Sequence, residues 1–115
     1  MTTINLAVEG EIATLTLNNP DKLNAINLAM WQQISANMAS ISADSGIRCV
    51  VLRGAGDQAF AAGGDLEEFV TGRATLEQAL HYHGEVAKAL NAIADCPHPT
   101  VALIKGACIG GGLEI

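Results

Sequence analysis

Two glycine-rich stretches hold the chemistry this sequence offers, AAGGDL at Ala61 to Leu66 and IGGGLE at Ile109 to Glu114. Each follows residues that read as a strand, and glycine at such a point permits positive φ and lets a ligand approach backbone N–H groups. Two such points can each aim one N–H at the same oxygen, the arrangement that stabilises negative charge developing on a carbonyl. A helix opening at the second stretch adds partial positive charge on the same side. Glu114 can exchange a proton with a carbon next to the activated carbonyl if it faces the same cavity. Each feature also has a plainer reading. GGG serves as a tight turn with close helix–strand packing, AAGGDL as a turn with Asp65 as cap or loop brace, and Glu114 as a first-turn glutamate favoured by the helix dipole.

Other chemistries have less support. GAGDQA at Gly54 to Ala59 lacks the last glycine of GxGxxG and no GK[ST] occurs, which weighs against a nucleotide-phosphate loop. His81 and His83 diverge on a helix, and with His98 they form neither HxxxH nor a set with paired cysteines, so no metal site is expected. No serine lies in GxSxG and Cys108 has no placed histidine base, which leaves nucleophilic catalysis unsupported. Glu67 and Glu68 read as solvated helix surface.

The positioning elements follow from apolar periodicity. Ile4, Leu6 and Val8 alternate, as do Ala13, Leu15 and Leu17, giving a hairpin turning at Glu9-Gly10-Glu11. NNPDKLNA breaks the pattern as a loop. Trp31, Ile34, Met38 and Ile41 then recur at helical spacing behind Asn27 as N-cap. IRCVVLRG reads as a strand covered on both faces, and AGDQAFAAGG as irregular until a short helix at DLEEF. A long helix spans about Thr75 to Ala94, with Thr75 and Gln78 as a capping box and Leu76, Leu80, His83, Ala87, Leu90 and Ala94 on its apolar face. DCPHP stops it, and TVALIKG is the strand before the last glycines.

A chain of 115 residues suits one core, and with 50% hydrophobic but only 3% aromatic residues that core is built mainly from Leu, Ile, Val and Ala. Twelve acidic against six basic side chains, net charge -6, and no Lys/Arg cluster make nucleic acid a poor partner. No window is long and apolar enough for a membrane span, and MTTINLAVEGE does not read as a signal or transit peptide. Three cysteines without CxxC spacing fit reduced thiols and a cytoplasmic setting, with Cys49 and Cys108 as small core residues. The helix opening at Gly110 stops after one turn, so residues 1–115 are expected to be the N-terminal portion of a single domain, cut after GGGLE.

Together, LTLNNPDKLNAIN at Leu15 to Asn27, VVLRGAGDQAFAAGGDLEEF at Val50 to Phe69 and PTVALIKGACIGGGLEI at Pro99 to Ile115 resemble the crotonase superfamily, the enoyl-CoA hydratase/isomerase group. The motifs lie in matching order and cover nearly the whole chain. The resemblance implies an α/β fold, a spiral of ββα units that is incomplete here, usually assembled as homotrimers or hexamers. It implies an acyl-CoA thioester substrate, coenzyme A being part of that substrate and no separate cofactor being needed. It matches Gly64 and Gly111 to the two N–H donors of the oxyanion hole and Glu114 to the first of two catalytic glutamates of hydratases, the second lying beyond Ile115. It further implies that Asp21, Lys22, Leu23, Ala25 and Ala62 contact the CoA moiety, with Lys22 as the charged contact. The expected activity is enoyl-CoA hydration. Enoyl-CoA isomerisation, another acyl-CoA reaction, and a noncatalytic acyl-CoA-binding subunit are the alternatives.

Overall fold

The computed structural model describes residues 3–115, without the side chain of Phe69. Strands β1 (Thr3–Glu9) and β2 (Ile12–Asn18) form the expected antiparallel hairpin. A 3-10 turn at Pro20–Lys22 leads into α1 (Leu28–Ser42), followed by β3 (Cys49–Gly54), β4 (Ala59–Ala61), α2 (Glu67–Thr71) and α3 (Leu76–Ala94). The chain then forms β5 (Thr100–Leu103), β6 (Ala107–Cys108) and the one-turn α4 (Gly111–Glu114). The order is thus ββα three times over, with α2 and α3 both in the second unit. Four strands lie in the order β1-β2-β3-β5, with β2, β3 and β5 parallel, while β4 and β6 pair in a second sheet.

Helix α1 forms where its sequence predicts. Asn27 is extended and its Oδ1 accepts from the Met30 N–H at 2.9 Å, satisfying one of the free donors of the first turn. Its buried face, Met30, Trp31, Ile34, Met38 and Ile41, meets Leu15, Leu17, Val50 and Leu52 in one core. Each side chain of this size contributes about 1.5–3 kcal/mol on full burial.

The structure corrects four readings: the cover on β3, the stretch that holds β4, the inward face of α3 and the burial of two cysteines. Strand β3 is not covered on both faces: Val50 and Leu52 are buried, whereas Cys49 and Val51 on the other face are half-buried, and Ile12, Val101 and Leu103 on neighbouring strands are exposed. Leu6 and Val8 do pair with Leu15 and Ala13, yet they are exposed because β1 is the sheet edge. The stretch read as irregular contains β4, whose Phe60 is buried. The inward face of α3 is Tyr82, Ala89 and Ile93; Leu76 and Leu80 are 76% and 64% exposed, and His83 also faces out. Cys49 and Cys108 are half-buried free thiols, so neither is a full core residue.

Candidate active site

The first glycine loop is built by hydrogen bonds. Two consecutive left-handed residues, Leu23 (φ 52°) and Asn24 (φ 58°), fold the 3-10 turn back on itself. For a leucine that backbone costs on the order of 1–2 kcal/mol, and the buried Asn24 side chain offsets it. Its Oδ1 accepts from Asn19 N at 2.9 Å, and its Nδ2 donates to the carbonyls of Ala55 at 3.0 Å and Ala59 at 2.9 Å. Asn19 Nδ2 in turn donates to Ala25 O at 2.9 Å. The segment so fixed presents Ile26, whose N–H donates to Gly63 O at 2.8 Å and whose carbonyl accepts from Asp65 N at 3.2 Å. These two bonds make a parallel bridge between Ile26 and Gly64. Gly64, between the two bonded residues, turns its own N–H away from Ile26, and that amide has no acceptor among the described residues. Gly63 at φ 102° is where the chain needs glycine.

Asp65 braces this loop, as its position suggested. Its Oδ1 accepts from Glu67 N at 3.0 Å and caps the start of α2, while Oδ2 lies 3.3 Å from Lys22 Nζ. Lys22 also reaches Glu67 at 3.1 Å. Its ammonium is held above the ordinary lysine value by the hydrogen bond to Glu67 first and to Asp65 second.

The second glycine loop is set by close backbone packing. Ile109 N donates to Ala61 O at 3.1 Å, tying the loop to β4, and Gly110 (φ 54°) starts α4. A Cβ on Gly112 would lie 2.5 Å from Ala61 O and 2.8 Å from Ala61 Cβ, and one on Gly111 would lie 3.0 Å from Trp31 Cζ2. The two loops touch: a Cβ on Gly63 would meet Ile109 O at 3.4 Å, and one on Gly110 would meet Gly63 Cα at 3.6 Å. The Gly111 N–H, first in its helix, has no acceptor among the described residues. Glu114 donates its backbone N–H to Gly110 O at 3.0 Å, and its carboxylate is exposed with no hydrogen-bond partner among the described residues.

The expected ligand-contacting residues divide between two cavities. Lys22, Ala25, Ala62 and Gly64 line one of about 260 Å³ together with Asp65, Leu66 and Glu67. Asp21 and Leu23 line a neighbouring one of about 360 Å³ with Asn24, Ala55 and Asp57. Gly111 and Glu114 line neither.

Sequence reasoning missed a polar group between α1, α2 and α3, whose Arg73 Nη2 lies 3.8 Å from where a Gly64 Cβ would stand. Buried Tyr82 donates its hydroxyl to Glu68 Oε1 at 2.8 Å, and the same oxygen accepts from Leu28 N at 2.9 Å, so Glu68 is a brace between α1, α2 and α3 and not plain solvated surface. The Arg73 guanidinium stacks on the Tyr82 ring, 3.8 Å from its centroid. Burial, and secondarily the Glu68 contact, push the phenol above its ordinary value, against the pull of Arg73. The one available signal was Tyr82 seven and eleven residues before Ala89 and Ile93, an alternative helical stripe.

His81 and His83 are exposed, and His98 Nε2 lies 3.1 Å from Ile41 O. Among the described residues no three His, Cys, Asp or Glu gather to hold a metal, and no helix is long and apolar enough to cross a membrane.

The profile of the family described as enoyl-CoA hydratase/isomerase matches residues 12–115. The crystal structure of an enoyl-CoA hydratase/carnithine racemase from Magnetospirillum magneticum superposes with a TM-score of 0.93 at 52% identity, over 98% of this chain and 42% of that one. An enoyl-CoA hydratase from Bacillus anthracis gives 0.87 at 30% identity, over 96% of this chain and 43% of that one. The mitochondrial 3-hydroxyisobutyryl-CoA hydrolase of Gallus gallus is 36% identical over 96% of this chain and 29% of its own length. The chain therefore spans less than half the length of each of these relatives.

Proposed function

This chain belongs to the enoyl-CoA hydratase/isomerase family of the crotonase superfamily, and we propose that it provides the oxyanion-stabilising part of an enoyl-CoA hydratase. The observation that carries this reading is the contact between the glycine loops at Gly63 and Gly110, next to two amides, Gly64 and Gly111, without acceptors. In hydration, water adds its oxygen to C3 and a proton to C2 of the enoyl thioester, through an enolate-like state whose charge rests on the thioester oxygen. The Gly64 and Gly111 N–H groups receive that charge. A single donor of this kind is worth about 2.7–4 kcal/mol. Glu114, two residues and part of a turn past Gly112, is the acid/base that takes or returns the proton.

The Lys22, Ala25 and Ala62 groove is the proposed CoA contact, joined at its neighbouring cavity by Asp21 and Leu23. Lys22 enters it already paired with Asp65 and Glu67, so a ligand phosphate must share or displace those carboxylates. The proposed assembly is a homotrimer or hexamer, a role for which exposed Leu66, Val70, Leu76 and Leu80 offer apolar surface.

The test is Glu114→Gln. We expect turnover of a 2-enoyl-CoA, followed by loss of its conjugated absorbance, to fall by about 10²–10⁴-fold, while binding of a saturated acyl-CoA is retained. Unchanged turnover removes Glu114 from the mechanism. Thioester hydrolysis is the second reading, favoured by the hydrolase among the relatives. Release of free thiol from the thioester, without hydration, establishes that reading instead. Conversion of a 3-enoyl to a 2-enoyl thioester identifies an isomerase, and binding without turnover a noncatalytic subunit.

A further inference from the structure

The segment Ile26 to Trp31 touches both glycine loops in different ways. At one end Ile26 bonds Gly63 and Asp65 through its backbone. Five residues on, Trp31, 2% exposed, rests its indole edge against the other loop, with Cζ2 and Cη2 at 3.0 and 3.4 Å from the position of a Gly111 Cβ. The stretch between is rigid by construction, since Asn27 caps α1 and Glu68 takes the Leu28 N–H. Trp31 Nε1 is buried and has no hydrogen-bond partner among the described residues, and the atoms it sets against Gly111 are ring carbons, so that contact is one of van der Waals shape.

We propose that Trp31 is a positioning residue, a spacer whose six-membered ring sets where the Gly111 N–H stands relative to the Gly64 N–H. This inference rests on the oxyanion reading above. Its physical content is that the ring fills the space beside Gly111: remove the ring and the one-turn α4 settles toward α1, moving its first amide; add a Cβ at Gly111 and the same amide is pushed the other way. Misplacement of a reacting group by about 1 Å can cost on the order of 10²-fold in rate, so a shift of a few tenths of an ångström is readable.

The experiment uses butyryl-CoA labelled with ¹³C at the thioester carbon and follows its carbonyl stretching frequency on binding, which reports donors at the oxygen independently of any turnover. The variants are Trp31→Phe, Trp31→Leu, Gly111→Ala and the pair Gly111→Ala with Trp31→Phe, each with its melting temperature recorded. The carbonyl frequency is expected to fall on binding to the parent protein and to recover toward the free value in Trp31→Phe, with kcat down about tenfold or more and KM little changed. Gly111→Ala is expected to lose the shift as well, and Trp31→Phe in that background to restore part of it, a coupling that simple destabilisation does not give. Gly111→Ala keeps Trp31, so it serves as the readout if the tryptophan variants do not fold. A full shift retained in Trp31→Phe and Trp31→Leu, or a pair no better than Gly111→Ala alone, overturns the spacer. A parent protein that gives no shift overturns the oxyanion reading itself and the spacer with it.

Discussion

The loops around Gly64 and Gly111 are held by different forces. Near Gly64 the chain is fastened by hydrogen bonds: Asn24 to three backbone groups, Ile26 to Gly63 and Asp65, Asp65 to Lys22 and Glu67. Near Gly111 the strands and helix are pressed together, so that a Cβ at Gly112 would overlap Ala61 and one at Gly111 would crowd the edge of Trp31. A hydrogen-bonded loop fixes direction through its donors and acceptors and tolerates some change of size. A packed loop fixes position through volume and tolerates none. The contrast shows at the glycines themselves: a Cβ at Gly64 would meet only Arg73 Nη2, at an ordinary 3.8 Å, whereas one at Gly112 would strike the β4 backbone.

Three substitutions probe this contrast, in descending size. Asn24→Ala strands the buried Asn19 N–H and Ala59 carbonyl, each costing about 1–3 kcal/mol, and the part-buried Ala55 carbonyl, which costs less, so urea unfolding is expected to show a loss of about 3–5 kcal/mol. A loss under about 1 kcal/mol would mean the first loop is not hydrogen-bond-held. Gly112→Ala forces its Cβ onto Ala61, and a loss of about 2–3 kcal/mol is expected in the same measurement. Near-neutral stability there would deny that the second loop is held by volume.

Tyr82→Phe is the smallest and concerns pH. The phenol stands above its ordinary value of about 10 in the folded chain. As pH rises through that value the unfolded chain loses this proton first, so the stability linked to Tyr82 is fully present below about pH 10 and falls above it. The slope is at most about 1.4 kcal/mol per pH unit for one group. Unfolding midpoints between about pH 8 and 11 are expected to fall less steeply in Tyr82→Phe. Lys22, also raised, loses its contribution in the same direction at somewhat higher pH and remains in the variant. Identical slopes would show that burial of Tyr82 does not control its titration.

Local signals carried much of the fold. Asn27 and Thr75 cap the helices they were expected to cap, because a side-chain oxygen three residues before a free N–H is a short-range event. Ala13, Leu15 and Leu17 alternate into the core because β2 has neighbours on both sides. Signals that depend on distant partners were not legible. The inward face of α3 was misread because that helix carries two apolar stripes, and only contact with α1 selects Tyr82, Ala89 and Ile93. Strands β4 and β6, three and two residues long, have too few residues to show a period. The glycine motifs were legible as motifs, but the contact between their loops, the bonds from Asn24 to Ala55 and Ala59 and the Trp31 edge at Gly111 arise from residues far apart in sequence.

The most direct measurement is a crystal structure with a bound acyl-CoA. The thioester oxygen is expected within about 2.7–3.1 Å of both the Gly64 and Gly111 nitrogens, with the Glu114 carboxylate facing the acyl carbons beside it. A thioester oxygen held by neither amide, or by one while the other faces a separate cavity, would contradict the oxyanion reading.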